Sequence, residues 1–343
     1  MKYLALFTLA ICALFGAGAA IAEPASAAMN LAEFSDLLMG IGLAGIVVNS
    51  ANLKIIFTGF KTAFMRGRGN APSYWERIAT EVPSTTSEEK YGWLGAMKRM
   101  REWIGDRVIH GLKLHDYTIK NKKFEVTHAV ERDMIDDDRY GVLAPVFEEA
   151  GYSSRTHPDE LVFELLAAGF STLCYDGQNF FDTDHPVGSE EDGTLVSVSN
   201  MQAGSGNPWF LLDTRRPLKP LIFQKRRDYD FRSITNLDSE HVMMTDEFVF
   251  GVDARVNVGF GLWQQAFGSK AELNDTNFDA AMETMMAFKD DSLRPLGIMP
   301  NLLVCGPSNR SKAKVVIDKE LIKNGESNTN YKAVEVLVVP WLA

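Results

Sequence analysis

Apolar side chains fall at Leu53, Ile56, Phe57, Phe60 and Phe64, and spacings of three and four predict an amphipathic helix over Asn52–Met65. Asn52 is the expected cap, and Arg66-Gly67-Arg68-Gly69-Asn70 the expected end. A short helix should follow Pro72 and carry Tyr74, Trp75 and Ile78, because proline is tolerated in a first helical turn. The period then changes. Phe124, Val126, His128 and Val130 alternate with Glu125, Thr127 and Glu131, which is strand spacing. Two extended runs, near 107–119 and 123–131 and joined by Lys120-Asn121-Lys122, predict a long polar hairpin. It holds too few apolar residues to stand alone, so it should project and pack on something else, a neighbouring subunit above all.

Helical spacing returns from Tyr140 to Phe170, with Val142, Val146, Phe147, Leu161, Leu165 and Leu166 as the apolar stripe. Pro158 lies inside it and predicts a kink or break. From Cys174 to Pro208 the residues are largely Gly, Asp, Ser, Asn and Pro, a long loop with room for a small hairpin. Strands are expected at Pro220–Phe223, Phe248–Val252, Leu302–Val304 and Val334–Val339, with helices at Asn277–Asp290 and Ser308–Asp318. The fold class is α+β.

Composition narrows the function classes. With 343 residues, 46% hydrophobic and 23% charged, the chain can build a sizeable core. A net charge of −10, from 35 basic and 45 acidic residues, argues against a protein that grips nucleic acid, and suits a container wall that must not stick to its contents. Cys174 and Cys305 are far apart and without CxxC spacing, so they predict buried thiols of a reducing compartment and neither disulfides nor zinc. The first residues complicate this. Lys2, the apolar run Leu4–Ala22, and Ala20-Ile21-Ala22 or Ala25-Ser26-Ala27 have the form of an export signal, and the run is long enough to consider as a membrane span. Internal starts at Met29 or Met39 offer the competing explanation. Gly40-Ile41-Gly42-Leu43-Ala44-Gly45 matches GxGxxG, but no acidic residue occurs between Asp36 and Glu76, so the dinucleotide reading fails.

Candidate chemistry is sparse. Asp182-Thr183-Asp184-His185-Pro186, after Asp176-Gly177, offers carboxylate and imidazole ligands for a divalent ion, but the same residues favour a turn, and no second ligand cluster completes a site. Asp136-Asp137-Asp138 reads as the approach to a helix N-terminus. Cys174 would be a nucleophile only with His185 or His157 beside it. GxSxG and phosphate-loop patterns are absent. Arg215-Arg216 and Lys225-Arg226-Arg227 would touch DNA or, given Asp228 and Asp230, acids of an adjacent subunit. Catalytic, cofactor-binding and metal-ligating residues are therefore expected to be none.

Several runs together resemble the major head subunit family of phage Mu and Mu-like prophages. They include Ala71-Pro72-Ser73-Tyr74-Trp75-Glu76-Arg77-Ile78-Ala79, Tyr91-Gly92-Trp93-Leu94-Gly95, Arg101-Glu102-Trp103-Ile104-Gly105 and Asp137-Asp138-Arg139-Tyr140-Gly141. The central runs are His157-Pro158-Asp159-Glu160-Leu161-Val162-Phe163 and Cys174-Tyr175-Asp176-Gly177-Gln178-Asn179-Phe180-Phe181-Asp182. Lys219-Pro220-Leu221-Ile222-Phe223-Gln224 and Gly259-Phe260-Gly261-Leu262-Trp263-Gln264 follow, so the resemblance extends from about Ile46 to Ala343.

It implies the tailed-phage, herpesvirus-floor-like major capsid fold. Residues 1–45 would be an apolar leader without family counterpart, 46–83 an N-terminal arm, and 84–131 the extended loop. Residues 132–214 would form a peripheral domain with a spine helix, and 215–343 an axial domain whose C-terminus returns to the peripheral sheet. The implied function is a shell of pentamers and hexamers around phage DNA, assembled in the cytoplasm without a membrane. The implied partners are further copies, scaffold, maturation protease, portal and head–tail proteins. Trp93, Arg101, Trp103 and Phe124 are the expected inter-subunit contacts. Two rival readings are an encapsulin-like cargo shell and an exported metal-dependent hydrolase built on Asp182, Asp184 and His185.

Overall fold

The computed structural model describes residues 49–92, 94, 117–137, 140–188, 193–321 and 325–343. Helix α1 spans Ser50–Asn70, and its cap is Asn49 rather than Asn52: the Asn49 side chain accepts the Asn52 N–H at 2.9 Å. It also runs through the glycine-rich stretch expected to end it. The reason is its neighbour α2 (Tyr140–Ala168). A Cβ on Gly67 would lie 1.9 Å from the Glu148 carbonyl oxygen, and one on Gly151 2.0 Å from that of Phe64. These glycines are a contact surface where two helix backbones meet, and Arg66 closes the crossing with an ion pair to Glu148 at 2.8 Å.

Helix α2 holds Pro145 and Pro158 yet forms one helical span of 29 residues, so the expected break does not occur. Phe147, Val162, Phe163 and Leu166 are buried, whereas Val146, predicted inward, is 41% exposed. Asp159 is fully buried, and its Oδ1 accepts the N–H groups of Tyr74 (2.7 Å) and Trp75 (2.5 Å). That carboxylate fixes a 3-10 turn, Trp75–Arg77, where a short helix was expected.

The strands run β1 (Ala79–Pro83), β2 (Glu88–Lys90), β3 (Thr118–Lys120), β4 (Lys122–Glu131), β5 (His185–Val187), β6 (Val196–Val198) and β7 (Met201–Gln202). They continue with β8 (Trp209–Leu212), β9 (Leu221–Ile234), β10 (Glu247–Phe260) and β11 (Ala266–Ser269). After helix α3 (Asp275–Met286) come β12 (Leu302–Cys305) and β13 (Glu335–Val338). One sheet has the order β1-β9-β10-β4, a second β13-β12-β8-β11-β7, and β2-β3 and β5-β6 form separate pairs. Of the two extended runs, the described residues Thr118–Lys120 pair with β2 as β3, and β4 pairs with β10 along its whole length. Apolar side chains decide this, since Val130 and Val126 join a core beneath β10 that a free hairpin would not supply. Residues 107–116 of that expectation lie outside the described residues. The small hairpin in the long loop is present as β5-β6. The helix expected at Ser308–Asp318 is instead three short turns, Pro307–Asn309, Arg310–Ala313 and Lys314–Asp318.

Two apolar clusters support these layers. One joins Leu53, Phe60 and Phe64 of α1 to Phe147 of α2 and to Phe231, Phe248, Phe250 and Val252 of β9 and β10. The other joins Val162, Phe163 and Leu166 of α2 to Leu221, Ile222, Phe223, Val256 and Phe260, and includes all of β8 and β12. The sheets cross the division expected at residue 214: β8 sits centrally among later strands, while β9 and β10 pack with β4 and α2. Near the C-terminus, Trp341 stacks on Phe163 of α2 at 5.9 Å. The basic groups find acids within the chain, Arg215 on Asp213 (3.2 Å), Lys225 on Glu81 (2.6 Å) and Arg227 on Asp253. The leader, the GxGxxG match and Asp138 lie outside the described residues, among which no helix is long and apolar enough to cross a membrane.

Gly151→Ala should lower the free energy of urea unfolding by about 3 kcal/mol, the upper end of ordinary overpacking, because carbonyl backbone blocks the new methyl. Gly69→Ala, whose Cβ meets nothing within 4 Å, should instead stabilise by about 0.5–1 kcal/mol. Equal effects would refute the close crossing. Burial raises the pKa of Asp159, against the Tyr74 and Trp75 N–H groups that favour its charge. The native state therefore binds the proton more tightly than the unfolded one, and this residue's contribution falls as pH rises from about 4. Asp159→Asn retains an acceptor for both N–H groups, so its stability relative to the parent should be greater at pH 7 than at pH 4. An equal difference at the two pH values would contradict the assignment.

Candidate assembly site

Between β1 and β4 the described residues 84–92 and 117–121 are tied together by polar side chains, with Asn121 and Gln224 buried. The Asn121 amide donates to Ser84 Oγ (2.8 Å) and to the Thr86 carbonyl (3.0 Å), and its own Oδ1 accepts from Gln224 at 2.9 Å. Gln224, fully buried on β9, donates also to the Ile119 carbonyl and accepts the Tyr91 hydroxyl at 2.8 Å. Glu89 gathers Ser84 Oγ and the N–H groups of Thr85 and Thr86 on one oxygen, and the two backbone N–H groups, with Ser84, hold its carboxyl below the usual range. Burial pushes the Tyr91 phenol up, reinforced by the Glu89 charge. It also pushes Tyr117 up to about 12, against the Phe260 N–H that its oxygen accepts at 2.8 Å. These groups satisfy one another only in one arrangement, so they fix how residues 84–91 and 117–121 sit against β9.

Of the residues expected at subunit contacts, Trp93, Arg101 and Trp103 lie outside the described residues. Phe124 is half-buried on β4, its ring 4.4 Å from that of His157 on α2. Burial lowers the His157 pKa, with Glu164 opposing, and a His157 ring nitrogen shares a 2.6 Å hydrogen bond with the Tyr229 hydroxyl. Phe124 thus anchors the foot of the loop to its own chain.

The motif that resembled a metal site divides in two. Asp182 turns outward and accepts from Asn179 and Thr183. Asp184 is exposed, and its hydrogen bond with Asp182 raises its pKa. His185 is fully buried instead, with Nδ1 2.7 Å from Asp176, Nε2 3.2 Å from Asn200 Oδ1, and its ring stacked 4.1 Å from Trp263. Cys174 donates to the other oxygen of Asp176 at 3.0 Å, so Cys174, Asp176 and His185 bring their ligand atoms within 4.8 Å of one another.

Sequence reasoning paired His185 with the wrong acids. The Asp176-Gly177 turn upstream and Asn200 downstream were the signal, since both nitrogens of a buried imidazole need hydrogen-bond partners. Hydrogen bonds already occupy these donors and acceptors. Burial opposes the charge of Asp176, but the bonds from His185 and Cys174 prevail and hold its carboxyl below the ordinary range. Burial, and then the Asp176 charge, push the Cys174 thiol well above its own, so it is no nucleophile at neutral pH. The cluster ties the two ends of the loop after α2 together, and the hydrolase reading loses the convergence it required.

Residues 53–342 match the family described as Mu-like prophage major head subunit gpT. The major capsid protein of Escherichia phage Mu is 39% identical over 290 residues, which cover 83% of this chain and 95% of that protein. The Mu-like prophage FluMu major head subunit of Haemophilus influenzae is 44% identical over 275 residues, covering 78% and 89%. Among solved structures, the procapsid of bacteriophage JBD30 matches with a TM-score of 0.77 at 47% identity, over 86% of this chain and 100% of that one. The JBD30 capsid matches at 0.70 and 36% identity, over 87% and 100%. The α+β arrangement of two sheets on a long helix is that of tailed-phage capsid proteins, and the chain belongs to the Mu-like prophage major head subunit family.

Proposed function

We propose that copies of this head subunit assemble, as pentamers and hexamers, into an icosahedral shell that encloses phage DNA. The observation that carries this reading is the pair of JBD30 structures: the chain covers 100% of the matched chain in both procapsid and capsid. Residues 46–83 act as the arm, 84–131 as the loop that reaches a neighbour, and the two sheets as the peripheral and axial parts of the wall. Trp93, Arg101, Trp103 and Phe124 make the contacts of the loop with the next subunit. Aromatic and arginine side chains carry most of the binding energy in such interfaces.

Scaffold and maturation protease act during assembly, and portal and head–tail proteins join the finished shell. A trimeric minor capsid protein, as on the decorated JBD30 capsid, is a further partner. DNA is enclosed without specific contacts, in keeping with the net charge of −10. Assembly takes place in the bacterial cytoplasm, and residues 1–45 do not direct export. The subunit works without catalysis, cofactor or metal, a reading supported by the engaged Cys174, Asp176 and His185.

Negative-stain electron microscopy of the expressed protein, with its N-terminus read by mass spectrometry, tests the proposal. Shells, tubes or capsomer rings are expected; a monomer cleaved after Ala22 or Ala27 would overturn it. Trp103→Ala should remove a contact of about 2 kcal/mol and sharply reduce shell yield, while the isolated subunit melts as before. An unfolded Trp103→Ala monomer would move that residue from the interface to the core.

A further inference from the structure

His157 sits where three elements meet. Its ring on α2 lies 4.4 Å from Phe124 of β4 and 5.8 Å from Tyr229 of β9, edge-on in both cases, and one ring nitrogen shares the 2.6 Å hydrogen bond with the Tyr229 hydroxyl. Charge lies around this meeting on every side but one. From α1, the Arg68 guanidinium lies 5.6 Å over the Tyr229 ring, donates to the Tyr229 carbonyl at 3.1 Å and pairs with Asp228 of β9 at 2.8 Å. Helix α2 itself carries Arg155, Asp159, Glu160 and Glu164, and β4 carries Lys122 and His128 in the same alternation as Phe124. From β10 come the buried Val252 and Ala254, in register with Val126 and Phe124.

Burial, and then the Asp228 charge, push the Tyr229 phenol up, so it keeps its proton and donates it to a neutral His157. A protonated imidazole donates from both nitrogens. Tyr229 would then have to accept, and among the described residues its hydroxyl hydrogen has no second acceptor. The new charge would also enter the space that Arg68 shares with Tyr229. Burial lowers the His157 pKa, against the pull of Glu164. The unfolded chain therefore binds the proton more readily than the native one, and the contact loses stability as pH falls below the ordinary histidine value of about 6.5.

We propose that His157 is a pH-sensitive latch, which holds β4 to α2 and β9 while neutral and loosens that corner of the sheet when protonated, with both apolar clusters intact. The latch belongs to the single subunit and acts whether or not copies are assembled. Asp159, two residues on, is shifted so that its own protonation, at lower pH, favours the native state and does not reproduce the effect. His128 is the rival on the same strand, with its ring 6.0 Å from Phe147.

Hydrogen exchange of the full-length protein, read by mass spectrometry at pH 7.5 and pH 5 and corrected for the intrinsic rate, tests the latch. Protection of residues 122–127 should fall about tenfold at pH 5, while that of Leu221–Gln224, buried on β9, stays the same. His157→Gln keeps an oxygen to accept from the Tyr229 hydroxyl and cannot take up a proton, so the pH dependence should vanish. His157→Phe, which keeps a ring against Phe124, should abolish it too and replaces the glutamine variant should that one not fold. Equal protection of residues 122–127 at the two pH values in the parent overturns the proposal. So does a fall that survives in either variant, which would assign the switch to His128.

Discussion

The structure depends on one contact: the ribbon of β9 and β10 lying along α2. Both strands and the helix are long enough to take part in two apolar clusters. Phe231, Phe248 and Phe250 meet Phe147 at one end, while Leu221, Phe223 and Phe260 share the other cluster with Phe163 and Leu166. Between the clusters the register of β9 against β10 shifts near Asp253, and there Tyr229 turns its hydroxyl to His157 while Asp228 pairs with Arg68 of α1. An irregularity that would weaken an isolated ribbon is thus where the ribbon is fastened to both helices.

Everything else is attached to that frame. The edge strand β4 takes its register from β10, and the segments at 84–91 and 117–121 are held by Gln224 on β9. Buried amides make that attachment exacting, since Asn121, Gln224 and Tyr91 lose water and recover their hydrogen bonds only in one geometry. An apolar contact would hold as firmly but permit these segments to lie in more than one way. For a subunit whose work is to meet its neighbours in fixed orientation, a single arrangement is the property that matters.

The residues that look most chemical serve the same end. Asp176 binds a thiol and an imidazole, Asn200 anchors the imidazole from the other side, and Trp263 covers its face, so side chains join the β5-β6 hairpin in closing a long loop. Asp159 does the like for the turn at Trp75, reaching from the spine helix to two backbone N–H groups. In each case a carboxylate is held inside by donors that leave it little capacity for reaction.

The sequence by itself determined the fold class, the family, the two long helices, the alternation of β4 and the buried runs of the second sheet, because these are encoded in local period and in the order of many short motifs. It also located the long loop after α2 and its small hairpin. Only the tertiary structure decided what those elements touch. Gly67 reads locally as part of a helix end, yet with Gly151 it forms a crossing point, because another backbone fills the place of their side chains. Pro158 reads as a kink or a break, but α2 continues through it as one helical span. The partner of β4 turned out to be β10, far along the chain, since burial against α2 outweighs a nearby turn. The pairing of His185 with Asp176 and Asn200 arises from positions that only loop closure brings together. Period is a property of neighbours in sequence; partners are a property of neighbours in space.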